Sequence, residues 1–439
     1  MDLSKLKTIR IAACDVNGQM RGKRMPAAQA GKLADGAARL PLSALNVDIW
    51  GRDIEDSPLV FETGDADGIL KPTGRGPVAM PWLNTPSALV PMMMETDDGA
   101  PFMGDPRQVL AQVLDGYAAR GWQVMAATEM EFNLVDDSGA QPGPPAHPHT
   151  GRSLSHQSVL SVQELDAFDS FFTDLYAGAE EMGIPAQSAI SESGLGQFEI
   201  NLNHQDAMRA ADDAWLFKAL VKGLARKHKM AATFMAKPYA DDAGNGMHVH
   251  FSIVDTHGVN VFDDGTDTGS ELLQQAVAGC LAAMPASTLV FAPHGNSYKR
   301  LVPGAHAPTG AAWAYENRTA AIRIPGGNPK ARRIEHRTAG GDINPYLMLS
   351  VVLGAALLGI TDKMQPPAAS SGNIYDLPDL PQLAPDWETA ITRFEESPLI
   401  ARILPQMMIR NLVMTKRQEL AGFAALPSDE HWLSWLEAV

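Results

Sequence analysis

The segment Thr128-Glu129-Met130-Glu131-Phe132 decides how this chain is interpreted, because polar and apolar residues alternate along it. On a β-strand, residues i and i+2 point to the same face. Glu129 and Glu131 therefore share one face, and Met130 and Phe132 share the other. The pattern predicts a strand with one dry apolar side and one side that carries carboxylates.

Two further segments show the same parity. Gly246-Met247-His248-Val249-His250 places two histidines on one strand face, and Arg333-Ile334-Glu335-His336-Arg337 places a glutamate between two arginines. Glu192 and Glu199 have odd spacing, but Gly194-Leu195-Gly196 between them predicts a turn or bulge that re-aims one of them. A charged strand face is usually solvated, whereas several such faces together predict an active-site channel for metal and phosphate.

Size and charge restrict the class of protein. The chain has 439 residues and a formal net charge of −16, which is enough for one large domain plus a smaller one. The acidic balance argues against nucleic acid and anionic membrane as partners. Only Cys14 and Cys280 are present, which fits a reducing cytoplasm rather than a disulfide framework.

Targeting and membrane signals are weak. Met1–Arg10 lacks the apolar core of a signal peptide. The longest apolar run, Tyr346–Ile360, is shorter than the ~20 residues of a membrane helix, so it predicts a buried helix.

The texture of the sequence changes near residue 97. Residues 1–97 predict a small sheet-rich domain with one helix near Ala27–Ala38, and residues 98–439 predict a larger domain of alternating strands and helices, giving an α+β class. The strands expected in the first part are Thr8–Cys14, Gln19–Met25, Leu59–Glu62 and Ala88–Met94. The helices expected in the second part are Pro106–Arg120, Ser161–Met182, Asp206–His228, Glu271–Met284, Tyr346–Ile360, Trp387–Glu396 and Pro405–Gly422.

The residue types on the charged faces favour divalent cations and phosphate. Hard cations such as Mg²⁺ and Mn²⁺ prefer oxygen ligands, and a histidine moves the preference toward sites that tolerate Mn²⁺. Arginine forks bind carboxylate and phosphate bidentately. Surface ion pairing is the alternative for any one arginine. The carboxylates are Glu129, Glu131, Glu192, Glu199 and Glu335, the histidine is His248, and the arginines are Arg300, Arg318, Arg323, Arg332, Arg333 and Arg337.

Together these segments resemble the glutamine synthetase superfamily, in the family's order and with family-like spacing. Asn296–Gly304, which reads Asn-Ser-Tyr-Lys-Arg-Leu-Val-Pro-Gly, is close to the family's signature. The resemblance covers most of residues 100–365 and is weaker over residues 1–97. It implies an N-terminal β-grasp domain at 1–97 and a catalytic α+β domain at 98–439 with a curved antiparallel sheet.

The resemblance also implies the reaction and the assembly. ATP would phosphorylate the γ-carboxylate of glutamate, and an amine would displace phosphate from the γ-glutamyl phosphate. Active sites in this family lie between adjacent subunits. The chain is therefore expected to form two stacked rings, as a dodecamer or decamer.

Roles carry over by motif to this sequence. The first metal would be held by Glu131, Glu192 and Glu199, and the second by Glu129, His248 and Glu335. Glutamate would be bound by Arg300, Arg337, Gly244 and Glu131. The nucleotide would be bound by Arg318, Arg323, Arg333, His250 and Ser252, and Arg300 and Arg318 would also be catalytic. This division fits phosphoryl transfer, where positioning and cationic stabilisation dominate.

Departures from the family pattern concern the acceptor. True glutamine synthetases carry Glu in a Val-Pro-Gly-Tyr-Glu-Ala-Pro flap, and this chain has His306 there. The family's Asp-Gly-Ser-Ser loop from the neighbouring subunit corresponds to Leu40–Ser43, which holds no acid, and Ala243 replaces an Asn of the glutamate loop. An ammonium pocket needs negative charge, whereas an imidazole of pKa ~6.5 can still take a proton from an amine.

These departures predict a γ-glutamyl-amine ligase that resembles the γ-glutamylpolyamine and γ-glutamylmonoamide synthetases, with His306 as the base. Three alternatives stay open: an ordinary glutamine synthetase that uses ammonia, a catalytically silent structural paralogue, and a metal-dependent hydrolase built on His248 and His250. The acceptor itself is not readable. The acids Asp48, Asp53, Glu55 and Asp56 are either surface residues or attractants for the distal ammonium of a polyamine.

Overall fold

The computed structural model describes residues 2–33, 35–302, 304 and 307–439. The strands within these residues are β1 Thr8–Cys14, β2 Met20–Pro26, β3 Arg39–Pro41, β4 Asp67–Pro72, β5 Val78–Ala79, β6 Ala88–Glu95, β7 Gln123–Val135, β8 Ala186–Ser191, β9 Gln197–Asp206, β10 Ala231–Thr233, β11 Met247–Val254, β12 Trp313–Tyr315, β13 Ile322–Ile324 and β14 Ile334–His336.

The α-helices are α1 Pro58–Phe61, α2 Pro106–Ala118, α3 Val162–Ala167, α4 Asp169–Met182, α5 Ala207–Lys227, α6 Glu271–Ala283, α7 Thr288–Phe291, α8 Pro345–Thr361, α9 Trp387–Glu396, α10 Pro398–Ile403, α11 Gln406–Ala425 and α12 His431–Ala438. Short 3₁₀ turns lie at Leu3–Lys5, Ala27–Lys32, Leu42–Leu45, Ser297–Lys299, Pro329–Ala331 and Ile374–Asp376.

The N-terminal part forms a six-stranded sheet in the order β2-β1-β6-β4-β3, with β5 paired to β6. Strand β1 is antiparallel to β2 and parallel to β6. Ile9 and Ile11 face a small core with Val90, whereas Ala12 and Leu89 on the other face join the main core. The sheet is therefore buried on both sides at its centre, which explains the nearly continuous apolar run of these strands.

The larger sheet has eight strands in the order β12-β13-β14-β11-β7-β9-β8, with β10 paired to β7. Its strand pairs are antiparallel, as the family resemblance implies, except that β12 and β13 run parallel. The apolar face of β7 packs under α4: the Phe132 ring centroid lies 6.3 Å from those of Phe171 and Phe198. The opposite face of β7 carries the carboxylates.

Helices α2, α5, α6, α8, α9 and α11 lie where periodicity predicts them, within a few residues at their ends. Asn344 caps α8 by accepting hydrogen bonds from the backbone N–H groups of Tyr346 and Leu347. The predicted buried helix is thereby confirmed as α8. Among the helices that the structure describes, none is both long enough and apolar enough to cross a membrane.

Three local predictions are wrong. Leu59–Glu62 was expected as a strand but belongs to α1, because Pro58 starts a turn in which the Ser57 carbonyl accepts from the Phe61 N–H. The helix expected at Ala27–Ala38 is a 3₁₀ segment that ends at Lys32. The long helix Ser161–Met182 is broken at Phe168 (φ −100°, ψ 21°), whose buried ring lies 5.4 Å from Phe198.

Candidate active site

The register of the large sheet brings the carboxylates onto one face. Glu131 on β7 lies directly opposite Glu199 on β9, and Glu129 lies directly opposite His248 on β11. Residues that face each other across antiparallel strands point to the same side. Parity along three neighbouring strands therefore collects these four side chains, as the sequence predicts.

The same face continues across the next strands. His250 on β11 is opposite Glu335 on β14, and Glu335 is opposite Arg323 on β13. Arg323 Nε and Arg337 Nη1 both donate to the Glu335 carboxylate. One end of the face is thus rich in carboxylates, and the other end pairs a carboxylate with arginines.

Glu192 joins the face through a hairpin. Strand β8 ends at Ser191, the chain turns through the Gly194–Gly196 segment, and the Glu192 N–H donates to the Gln197 carbonyl at 2.9 Å. Because Ile190 is opposite Glu199, the residue two further along, Glu192, lies on the same face as Glu199. The predicted turn is confirmed, and it converts the odd spacing into a shared face.

Glu129 is the centre of the histidine contacts. Its carboxylate oxygens lie 2.9 Å from His248 Nδ1 and 2.9 Å from His250 Nε2. Two groups of side chains bring their ligand atoms within 4.8 Å of one another: Glu129 with Glu199 and His248, and Glu129 with His250 and Glu335. His250, expected beside the nucleotide, therefore also lies against the carboxylates.

The protonation of the carboxylates differs from one end of the face to the other. Burial raises the pKa of Glu199 to about 9, and Glu129, Glu131 and Glu192 add to the increase. Burial together with Glu131 raises the pKa of Glu192 to about 7. The buried carboxylates repel one another, and the charged forms need a cation.

Glu129 and Glu335 show the opposite direction. Burial disfavours the Glu129 carboxylate, but hydrogen bonds from His248 and His250 lower its pKa. Burial also opposes the charge on Glu335, which Arg337 outweighs, so that its pKa is lowered. Glu335 therefore already has arginine partners, and Glu129 already accepts hydrogen bonds from two imidazoles.

The donor set fits a divalent cation. Glu131, Glu192 and Glu199 make no ion pair with any lysine or arginine side chain that the structure describes. The hydrogen-bond donors to Glu131 are the Gly246 N–H at 2.6 Å and Gln197 Nε2 at 3.4 Å. Carboxylate oxygens that form no direct ion pair, with one imidazole nearby, are the ligands that Mg²⁺ and Mn²⁺ accept.

Arg300 lies beneath the carboxylate end in a site shaped by glycines. It is buried, and its Nη1 donates to the Thr338 carbonyl at 3.0 Å. A Cβ on Gly246 would lie 2.7 Å from Arg300 Nη2, and one on Gly244 would lie 2.4 Å from the Ala236 carbonyl oxygen. These contacts explain why glycine is needed at 244 and 246.

The other predicted arginines lie around the rim. Arg333 Nε donates to His250 Nδ1 at 3.2 Å, and Arg318 is exposed but interacts electrostatically with Glu192. Arg332, by contrast, points away, because it donates to the carbonyls of Thr266 and Asp267.

Ser252 and His306 were also predicted to belong to the site. Ser252 follows His250 by two residues on β11 and so shares its face. His306, the predicted base, lies outside the described residues.

Sequence reasoning missed two amides of the site. Gln197 Nε2 donates to the Gly244 carbonyl at 3.0 Å as well as approaching Glu131, and Asn201 Nδ2 donates to Glu199 at 3.2 Å. Both residues lie two positions from Glu199 on β9. The strand parity that predicts the glutamates also places Gln197 and Asn201 on the same face, and it could have identified them.

The acidic segment 48–56 divides into two kinds of residue. Asp48 is buried and accepts from the N–H groups of Trp50 and Arg52 and from Gln418, so it is a structural acid and not a surface one. Asp53, Glu55 and Asp56 are exposed beside α11. In the Leu40–Ser43 segment, buried Ser43 donates to Asp65 at 2.6 Å.

Comparison with known proteins agrees with this geometry. The family model "Glutamine synthetase, catalytic domain" matches residues 103–434. The chain is 36% identical over 439 residues to gamma-glutamylputrescine synthetase PuuA of Escherichia coli (strain K12), covering 98% of this chain and 91% of the relative. It is 32% identical over 444 residues to a glutamine synthetase of Halobacterium salinarum, covering 98% and 93%.

Solved structures give the same result. The GmaS/ADP complex superposes with a TM-score of 0.84 at 28% identity, covering 97% of this chain and 96% of that one. Enzymes of this family use ATP and divalent metal. The chain belongs to the glutamine synthetase family, and it is an ATP-dependent carbon–nitrogen ligase that forms γ-glutamyl amides.

Proposed function

We propose that this ligase joins the γ-carboxylate of glutamate to an aliphatic primary amine, with a diamine of the putrescine class as the first candidate. The observation that carries the proposal is the single sheet face on which uncompensated carboxylates adjoin a carboxylate–arginine end. The full-length similarity to gamma-glutamylputrescine synthetase supports the choice of amine.

The proposed roles follow the charge division of the face. Glu131, Glu192 and Glu199 hold one Mg²⁺ or Mn²⁺, and Glu129, His248 and Glu335 hold the other. When bound, the cations neutralise phosphate oxygens during transfer. Deprotonated carboxylates are required for this, so metal affinity rises with pH.

The cationic groups of the chain act on the two substrates. Arg300 and Arg337, with Gly244, orient the carboxylates of glutamate, and Arg300 also supports the transfer. Arg318, Arg323 and Arg333, with His250 and Ser252, hold the phosphates and nucleotide. Fixed guanidinium groups in a desolvated site stabilise the charge that develops on the transferring phosphoryl oxygens.

The reaction then proceeds in two balanced steps. An oxygen of the glutamate γ-carboxylate attacks the terminal phosphorus of ATP, and ADP leaves. The amine nitrogen attacks the γ-carbonyl carbon, the C–O bond to phosphate breaks, and phosphate departs. His306 takes a proton from the bound alkylammonium before the free amine attacks, because the family's flap glutamate is absent from this sequence.

Several coarser features are part of the same proposal. Residues 1–97 form a β-grasp domain and 98–439 the catalytic domain; the six-stranded sheet ending at Glu95 and the family match beginning at 103 support this division. Free, buried Cys14 and Cys280 support a reducing cytoplasm.

We also propose two stacked rings of subunits with active sites between neighbours. The exposed apolar side chains of Phe61 (68% exposed) and Leu160 (72%) are of the kind that subunit contacts bury. Native mass spectrometry tests this: a mass of ten or twelve subunits supports the rings, and a monomer contradicts them.

The test of function is ATP-dependent phosphate release with Mg²⁺ and L-glutamate over ammonium, methylamine, ethanolamine, isopropylamine, putrescine and spermidine. We expect strong release with one amine and almost none with ammonium. If ammonium gives the fastest release, the chain is a divergent glutamine synthetase. Silence with every amine would contradict the choice of glutamate as the acid substrate.

Two matched variants isolate the flap. His306→Ala should lower turnover with the best amine, whereas His257→Ala, at an exposed histidine of the turn after β11, should not. His306→Glu, which restores the family's carboxylate, should raise the ratio of ammonium to amine turnover. Full turnover in His306→Ala would contradict its role as the base.

A further inference from the structure

The turn that carries Arg300 is built from backbone hydrogen bonds. The Ser297 N–H donates to the His294 carbonyl at 3.0 Å, and the Arg300 N–H donates to the Ser297 carbonyl at 3.1 Å. The Asn296 side chain accepts from the Lys237 N–H at 2.8 Å and donates to the Lys237 carbonyl at 2.9 Å. The position of Ser297 therefore helps to fix the position of the Arg300 backbone.

Asp342 holds this turn from the loop before α8. It is 2% exposed, and its Oδ2 accepts from Ser297 Oγ at 2.6 Å. Its Oδ1 has no hydrogen-bond partner among the described residues. A Cβ on Gly340 would lie 2.5 Å from that oxygen, so the carboxylate fits only because position 340 is glycine.

Asp342 is also the counter-charge of buried cations. Burial raises its pKa, while Lys218 and Arg300 act in the opposite direction. Lys218 Nζ donates to the Ile343 carbonyl at 2.8 Å and lies 5.3 Å from the centre of the Phe234 ring. A buried carboxylate near two buried cations stabilises the charged form of both.

A small cavity is lined by Asp342 and His294 together with apolar side chains. Its volume is about 10 Å³, and its lining includes Asn17, His294, Asp342 and Asn344. His294 is 1% exposed, and neither ring nitrogen has a hydrogen-bond partner in the described part of the chain. A space of roughly 10–15 Å³ with several polar neighbours accommodates one water molecule.

We propose that Asp342 is a positioning residue for Arg300, acting through Ser297 and through its charge, and that one buried water joins its free oxygen to His294. The proposal rests on the proposed function, in which Arg300 binds glutamate. Asp342 itself does not contact substrate. It fixes the position of the Arg300 guanidinium before glutamate binds. Its loss therefore weakens glutamate binding while ATP binding is kept.

The experiment is steady-state kinetics of the full-length enzyme with the best amine. Asp342→Asn keeps the shape and removes the charge, and Ser297→Ala removes the link to the turn. We expect KM for glutamate to rise about tenfold in Asp342→Asn and a few-fold in Ser297→Ala. KM for ATP should stay within about twofold in both variants. A loss of global stability alone would not raise KM for glutamate selectively.

The matched control is Asp105→Asn. Asp105, which precedes α2, is equally buried and accepts from the Met94 and Arg107 N–H groups at 2.8 Å rather than from the turn that carries Arg300. It should lose thermal stability with KM for glutamate unchanged. If Asp342→Asn fails to fold, Ser297→Ala decides. A folded variant of either residue with unchanged KM for glutamate overturns the proposal.

Arg300→Lys separates the two levels of the argument. A large rise in KM for glutamate supports its proposed role, so that a silent Asp342→Asn then refutes only the positioning. Unchanged KM in Arg300→Lys refutes the glutamate role of Arg300 itself. A crystal structure that shows a water between His294 and Asp342 supports the bridge, and an empty or apolar contact there contradicts it.

Discussion

Two buried sets of carboxylates in this molecule are treated in opposite ways. Asp213 on α5 accepts from Arg75 Nε at 2.6 Å and from Arg209 Nε at 3.0 Å. Glu192 and Glu199 have no such partners among the described residues, and their pKa values are raised to about 7 and about 9. Charges that the protein neutralises itself hold the fold together, whereas charges left uncompensated await a ligand.

The same contrast exists for Asp212. It accepts from Arg107 Nε at 2.8 Å and Nη2 at 3.1 Å, and from the Tyr346 hydroxyl at 2.8 Å. These bonds join α2, α5 and α8 beneath the sheet. Removing such an acid should affect stability, and removing a site glutamate should affect catalysis.

The largest effect is expected from Glu199→Gln. Loss of one metal-binding carboxylate should lower kcat/KM for ATP-dependent phosphate release by about 100- to 1000-fold, because the cation supplies several kcal/mol of transition-state stabilisation. The melting temperature of the metal-free protein should not fall below pH about 9, since the amide replaces a carboxyl group that is already neutral there. Activity within threefold of wild type would contradict the assignment.

Asp213→Asn should show the reverse. Breaking a buried pair leaves Arg75 and Arg209 uncompensated, which costs about 3–5 kcal/mol in the free energy of unfolding. Denaturant unfolding measures the loss, and the specific activity of the folded fraction should be close to wild type. An unchanged unfolding midpoint would show that the pair is not a stabilising one.

The metal-free protein should lose stability as pH rises. Glu199 has a pKa of about 9 when folded, against its ordinary value of 4.5. Its contribution is fully present below pH about 4.5 and is lost as pH rises through about 9, because only the unfolded chain then ionises freely. The melting temperature of Glu199→Gln minus that of wild type, measured in EDTA, should therefore increase from pH 5 to pH 9.

Saturating Mn²⁺ should reduce that pH dependence in wild type and should stabilise Glu199→Gln less than wild type. A difference in melting temperature that is flat across this pH range would show that the Glu199 carboxylate is not strained by burial.

The smallest effect is expected at an exposed ion pair. Arg402 Nη1 and Nη2 donate to Asp362 at 2.7 and 2.9 Å, with the arginine side chain 50% exposed. Arg402→Ala should leave the unfolding midpoint close to that of wild type, since water screens the pair. If Arg402→Ala lowers the free energy of unfolding as much as Asp213→Asn does, burial does not explain why the two ion pairs differ.

Much of the site was predictable because strand parity is local. Glu129 and Glu131, or His248 and His250, are placed on one face by their spacing alone. Their partners on neighbouring strands depend on register, which the family resemblance supplied and spacing did not. Whether an arginine pairs with a site carboxylate also depends on distant parts of the chain. Arg332 lies in the arginine-rich segment, but it donates to the carbonyls of Thr266 and Asp267.

The errors in the fold have the same origin. The apolar run Leu59–Phe61 is too short for its period to distinguish strand from helix, and Pro58 determines the outcome. The break at Phe168 depends on its packing against Phe198 on a strand thirty residues away. The burial of Asp48 could not be predicted from the neighbouring residues, because one of its hydrogen-bond donors is Gln418 on α11.

The most direct test is the binding of Mn²⁺ to wild type, Glu199→Gln and Asp213→Asn, followed by electron paramagnetic resonance at pH 8 without nucleotide. We expect wild type and folded Asp213→Asn to bind Mn²⁺ with the same stoichiometry and Glu199→Gln to lose a site or weaken it at least tenfold. Equal binding by all three proteins would contradict the claim that the uncompensated carboxylates form the metal site.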